Sequence, residues 1–422
     1  MTVAWSDRYD PSSILERLSS SRTVDGEGKQ HFEAFAFHDC STIIFDMLVF
    51  PSGVPETEGR AVVGKSLLSL AGAPNITAAN VLSLVNRASE TYVRTQRRPY
   101  VLATSISLSP FDTLPTITLD GSAIRFSHHL SKRYRTARLK LIERGKRAIF
   151  AEPPSDYVSV RIRVMAISEY QAADLALDSL DSIRGIWNLF YNRRHSTRMS
   201  FGGQEPVNRI ALGPLHSLHL PGGELATETI WFEPTYRAPI KLHRMSQDWP
   251  KVQAFYRNTQ RLLKASHYAS DLRSAIIRYT RALDDRDWHA AFLKLWAILE
   301  ALTGTAKDNS YDVTIRRAAF IFSEHDYVTQ MLKILRDQRN QLVHASATSG
   351  EIEAYLYNMK NVVEALLQFH LANRARFDSI SHAAEFLGLP TAEGALREKH
   401  RLAQYALRFK RYAPRRQTNR EA

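Results

Sequence analysis

From about residue 250 onward, apolar residues recur at intervals of three and four. Leu272, Ile276, Tyr279 and Leu283 make one stripe, and Phe292, Leu295, Trp296, Leu299 and Leu302 a second. Met331, Leu335 and Leu342 make a third, and Ile352, Tyr355, Met359, Val362, Leu366 and Phe369 a fourth. That period is one face of an α-helix, and stripes this wide must be buried against one another. Residues 251–390 are therefore expected to form an all-α bundle.

The preceding part of the chain carries a different pattern. RPYVLATSISLSP is β-rich and closes on Pro110. In DYVSVRIRVMAIS, Val158, Val160, Ile162 and Val164 alternate with Ser159, Arg161 and Arg163, which predicts a half-buried strand with a basic outer face. Ser168 and Gln171 have capping-box spacing, and Leu177, Leu180, Ile183, Trp187 and Phe190 then trace one helical face. NRIALGPLHSLHL and ETIWFEP flank a PGG turn and predict two further strands. Residues 1–250 are thus expected to be an α+β domain. A chain of 422 residues is too long for one core, so two or three domains fit its length.

Charge adds a partner class. The net charge is +13, which favours polyanions and a salt-sensitive association. Two stretches concentrate it. Residues 132–147 hold eight Lys/Arg against Glu143, among them Lys132, Arg133, Arg135 and Arg138. The tail, residues 391–422, holds nine Lys/Arg from Arg397 onward, among them Arg408, Lys410 and Arg411. Either stretch could meet phosphates or be a solvated face.

Several chemistries find little support. With one cysteine, Cys40, a buried and inert thiol in a reducing compartment is expected. The N-terminus lacks the basic and apolar regions of a signal peptide, and no stretch is read as a membrane span, so a cytosolic protein is expected. There is no H-E-x-x-H and no cysteine pair for a zinc site, so neither metal nor cofactor is expected. GRAVVGKS, residues 59–66, matches the pattern of a phosphate-binding loop through Gly64, Lys65 and Ser66. Its context argues against that use. The stretch read as its leading strand, STIIFDMLVF, ends too early, and two valines sit where the loop must bend. A loop leading into a short element fits better.

RDQRNQLVH, residues 336–344, closes the third stripe. Arg336, Asn340 and His344 are each four apart and form a ridge beside that stripe, with Arg339 next to it. A fixed cation, a carboxamide and a titratable imidazole at one helix end are the parts needed to cut RNA without a metal. The alternative from the residues alone is a polar helix end whose histidine caps its own carbonyls. RNQLVH resembles the R-x4–6-H motif of HEPN domains, and FLKLWAILEALTG, residues 292–304, resembles the segment that precedes it in the Apea-like HEPN branch. The resemblance covers about residues 265–380.

That resemblance implies an all-α HEPN bundle that homodimerises and acts as a metal-independent endoribonuclease, of a kind often found as toxins or antiviral effectors. By position, Arg339 would hold the scissile phosphate, His344 would be the general acid or base, and Asn340 would support the geometry. Arg336 and Glu300 would assist. Glu300 lies at the edge of the second stripe, where an unpaired charge is costly, so it is expected to pair with Arg339 or, as a structural salt bridge, with another helix. The two basic stretches would bind RNA, and the α+β domain would sense a trigger or recruit a partner. A HEPN bundle that only dimerises and binds nucleic acid is the alternative.

Overall fold

The computed structural model describes residues 2–51, 54–110, 114–144, 154, 156–195, 205–234, 236, 242–306, 310–345 and 351–412, and for residues 144, 343–345 and 412 it describes the backbone alone. The chain divides into two compact units, Met1–Leu180 with Leu212–Tyr236, and Asp181–Ala211 with Arg237–Ala422. An α+β region thus precedes a helical one. The units interleave in sequence, however, so no single boundary near residue 250 separates them.

The first unit opens with β1 (Ala4–Trp5), α1 (Ser12–Ser20), β2 (Arg22–Val24), β3 (Gln30–Phe32), α2 (Ala34–Asp46), β4 (Leu48–Val49), α3 (Glu56–Leu68) and α4 (Ala78–Arg94). These close over a small core that includes Leu18, Cys40, Ile44, Val63, Leu67 and Val85. Burial holds the Cys40 thiol above its ordinary pKa, which disfavours the reactive thiolate. The stretch expected as a strand, residues 41–50, instead ends α2 and supplies only the short β4. In α2, Cys40 just before that stretch and Ile44 within it lie one helical turn apart and are both buried, so period four overrides the β-branched composition.

A six-stranded antiparallel sheet follows, in the order β10-β9-β5-β8-β7-β6. Its members, with intervening helices, are β5 (Arg98–Ile106), β6 (Ile117–Leu119), β7 (Ser122–Ser127), α5 (Lys132–Arg144), β8 (Val158–Ala166), α6 (Glu169–Asn192), β9 (Leu215–His219) and β10 (Leu225–Phe232). Asp120 and Gly121, both at positive φ, turn β6 into β7. One face buries Leu102, Val160, Ile162 and Val164. The start of α6 reaches that face, where Ser179 Oγ lies 2.9 Å from Ser122 Oγ. The expected cap is present: Ser168 Oγ accepts from the Gln171 N–H, and Gln171 accepts from the Ile167 N–H. On the opposite face lies α5, whose Tyr134 ring meets His219 edge-on at 5.1 Å.

The second unit takes the C-terminal half of α6, from Asp181, then α7 (Trp249–Lys264), α8 (Ala269–Leu283), α9 (Trp288–Thr303), α10 (Tyr311–Ala319), α11 (His325–Ala345), α12 (Ile352–Ala372), α13 (Ile380–Leu387) and α14 (Glu393–Tyr412). The apolar α9 is its centre, touching α8, α10, α11, α12 and α13. Asp287 caps its start by accepting from the N–H groups of His289 and Ala290. Gly304 ends it at φ 68°, where a Cβ would come within 2.8 Å of the Ala384 Cβ. The four apolar stripes all join the core of this unit.

From Leu180 to Asn192, α6 is buried on every side rather than along one stripe. Its arginine and its two asparagines are accordingly paired. Arg184 binds Asp181 at 2.6 Å and Asp284 at 2.7 Å, and Asn188 exchanges hydrogen bonds with the backbone of Ile210. Asn192 donates to Tyr279, Tyr279 donates to Glu364, and Lys360 lies 3.1 Å from that same carboxylate. Among the described residues, no helix is long and apolar enough to cross a membrane.

Candidate active site

Helix α11 is fixed by its apolar positions. Val328, Leu332 and Leu335 are buried, while Met331 and Leu342 pack against the same core. That register leaves Arg336, Arg339 and Asn340 half-buried at the edge. Each polar side chain there has an identifiable partner.

Arg336 pairs with Asp312, in the first turn of α10, at 3.1 Å, and with its neighbour Asp337 at 3.0 Å. Arg336 is thus already neutralised and ties α10 to α11. Arg339 is held differently. Its guanidinium carbon lies 5.2 Å from the centroid of the Tyr311 ring, and its Nη1 donates to Asn340 Oδ1 at 3.3 Å. Among the described residues it has no carboxylate in ion-pair range. The arginine is therefore positioned but keeps its charge.

Behind it, the Tyr311 ring meets Trp296 edge-on at 6.0 Å, and the Trp296 indole N–H donates to Glu300 Oε1 at 2.8 Å. This corrects the expected Glu300–Arg339 pair. The indole is one helical turn before Glu300 on α9 and satisfies the carboxylate locally. Among the described residues, Glu300 and Arg339 are linked through the Trp296 and Tyr311 rings. Tyr311 and Asp312 escaped the sequence reading, because nothing in SYDVTIRR marks which helix α10 packs against.

The backbone of His344 lies in the last turn of α11, one turn beyond Asn340. Its side chain lies outside the described residues. Arg339, Asn340 and His344 thus share one unbroken helix end.

The two basic stretches differ in accessibility. On α5, Lys132, Arg133 and Arg135 are exposed. Arg138 is not: it is buried and donates to the carbonyl oxygens of Ala103, at 3.5 Å, and Leu215. It is a tie between α5 and the sheet rather than an RNA contact. Tyr134, Arg138 and Leu141 are buried at helical spacing, and Arg138 sits in the middle of that stripe. On α14 the described side chains are almost all exposed, with Arg408, Lys410 and Arg411 among them.

All eight residues of GRAVVGKS lie inside α3. Helical N–H groups point along the axis to carbonyls one turn back and cannot wrap a phosphate, so neither the phosphate-binding loop nor the short-element reading holds. Lys65 and Ser66 instead line a cleft of about 570 Å³ with Glu58, Arg87 and Tyr92. Among the described residues, no group of three or more His, Cys, Asp and Glu is placed to hold a metal ion.

Compared with protein-family models, with curated proteins and with solved structures, the chain gives no significant match in any of the three, and the functional reading rests on its own residues.

Proposed function

We propose that the end of α11 is the catalytic site of a HEPN-type endoribonuclease that works without a metal, with two copies of the motif brought together in a homodimer. An imidazole of His344 takes the proton of a ribose 2′-hydroxyl. The 2′-oxygen attacks the adjacent phosphorus, the bond to the 5′-oxygen breaks, and a protonated imidazole returns a proton to that leaving oxygen. The products are a 2′,3′-cyclic phosphate and a 5′-hydroxyl. Arg339 holds the charge that builds on the phosphorane oxygens, and Asn340 keeps its guanidinium aimed.

The observation that carries this reading is the state of Arg339. An arginine braced by a ring and an amide, yet lacking a carboxylate, is prepared for an anion that arrives from outside. Arg336, on the same helix end, is by contrast neutralised by Asp312 and Asp337. The exposed Lys132, Arg133 and Arg135 and the tail's Arg408, Lys410 and Arg411 supply further phosphate contacts.

The test is cleavage of labelled RNA by purified protein in EDTA, with Arg339→Ala and His344→Ala beside the wild type. Cutting by the wild type alone, leaving cyclic-phosphate ends, is expected. Equal cutting by all three, or none by any, overturns the assignment.

A further inference from the structure

We infer that the outer face of β7 and β8 is an RNA-binding surface, built from Arg125, Arg161 and Arg163. It rests on the reading of this chain as a ribonuclease for the choice of RNA, and on sheet geometry for the site itself.

The strand register places Arg125 directly opposite Arg161. Residues directly opposite in an antiparallel pair point to the same face, with Cβ atoms only about 5 Å apart. Arg163 follows Arg161 by two and so shares that face, about 7 Å along the strand. This is the side opposite the buried Val160, Ile162 and Val164. Like charges directly opposite destabilise a sheet. Usually a carboxylate on a neighbouring strand or a covering helix offsets them. Among the described residues, none of the three arginines has a carboxylate within ion-pair range. The Arg161 Nε is buried and has no hydrogen-bond acceptor.

Helix α5 forms a wall beside this floor. It covers the β9 side of the same face through Tyr134 against His219, and leaves Arg125 and Arg163 exposed. The Arg161 guanidinium lies 5.8 Å from the Tyr134 ring, and Arg133, on α5 itself, lies 4.9 Å from that same ring. Floor and wall therefore converge as a step lined by cations that, among the described residues, have no carboxylate in ion-pair range. The chemistry that completes it is a run of phosphates. Tyr134 is itself buried, so the step offers charge rather than a surface for stacking bases. It would grip the backbone of RNA irrespective of sequence.

The experiment titrates a labelled, unstructured single-stranded RNA into His344→Ala protein, so that affinity is read without cleavage. The same protein carrying Arg125→Gln, Arg161→Gln and Arg163→Gln is compared across a range of salt. Each phosphate contact on a single strand contributes about 0.7 to the slope of log affinity against log salt. The triple variant is expected to lose about 2 from that slope and at least about tenfold in affinity at low salt. Its melting temperature should hold or rise, since repulsion has been removed. Should the triple variant not fold, Arg163→Gln alone changes an exposed side chain, and a slope lower by about 0.7 supports the surface equally. A folded variant with unchanged slope and affinity overturns the proposal, whether or not the protein cuts RNA. So does a loss confined to vesicles of anionic lipid, which would make the face a membrane contact. Loss of RNA affinity in a protein that proves unable to cleave would sustain the face and sink only the nuclease reading.

Discussion

Arg339 lies with its guanidinium carbon 5.2 Å from the centroid of the Tyr311 ring, so the aromatic residue that opens α10 braces the arginine of α11. A contact of this kind is worth about 0.5–2 kcal/mol. Tyr311→Leu should therefore slow RNA cleavage by roughly 2- to 30-fold, with RNA affinity little changed. Tyr311→Phe keeps the ring and should stay close to wild type. Single-turnover rates beside binding isotherms check this; a phenylalanine variant as slow as leucine would show that the ring face is not what matters.

Arg339→Lys asks whether charge alone suffices. Lysine keeps the cation but loses the planar fork that grips two phosphate oxygens. A drop of about 10²-fold in cleavage rate is expected, with melting temperature unchanged. A lysine variant that cuts at the wild-type rate would remove the bidentate role given to Arg339.

The buried polar residues of the second unit make a stability prediction independent of function. Lys360 is 0% exposed and sits 3.1 Å from Glu364, which also accepts from Tyr279. Lys360→Met leaves that carboxylate buried without its cation and should cost about 3–5 kcal/mol. Lys360→Met combined with Glu364→Leu should recover much of the loss. Urea unfolding of the single and double variants reads this directly, and equal destabilisation by both would mean that the pair is not coupled.

Acid should unfold the protein partly through its buried histidines. His370 donates its Nε2–H to the Leu302 carbonyl at 2.9 Å and accepts at Nδ1 from the Tyr268 hydroxyl at 3.2 Å, and burial lowers its pKa from 6.5 to about 4. The folded state thus holds its proton less readily than the unfolded chain. Its contribution is complete above about pH 6.5 and is lost as pH falls toward about 4, amounting to about 3 kcal/mol. His219 is shifted in the same direction for the same reason. Unfolding free energies measured at about pH 7.5 and about pH 4.5 should show a shallower fall in His370→Gln than in the wild type. Parallel falls would exclude this histidine as a source.

Neighbouring arginines on α5 should behave as opposites. Arg138→Leu removes hydrogen bonds to two backbone carbonyls and should lower stability by about 1–3 kcal/mol. Arg135→Ala, at an exposed position, should leave stability within about 0.5 kcal/mol and reduce RNA affinity. Melting curves beside RNA titrations separate them.

These cases show what local patterns carry and what they omit. The alternation in β8, the Ser168–Gln171 cap and the four apolar stripes were legible because each is decided by spacing within one element. The burial of Arg138 was not, since a charge-dense run hides the short stripe of Tyr134 and Leu141 around it. Nor was the all-round burial of α6 beyond Leu180. Asp181, Arg184, Asn188 and Asn192 look solvent-facing until Asp284, Ile210 and Tyr279 arrive from elsewhere in the chain. The candidate site divides in the same way. Its motif residues were visible as a string, whereas the partners of Arg336 and Glu300, and the ring under Arg339, depend on how α9, α10 and α11 pack.

The facing arginines at positions 125 and 161 also give the protein two opposed responses to ionic strength. Added salt shields one guanidinium from the other, so the free protein should become harder to unfold as salt rises. With that face binding RNA as proposed, the same ions compete with its phosphates, so the complex should loosen over the same range. A fold that tightens under conditions that release its ligand has left part of its own stabilisation for that ligand to supply.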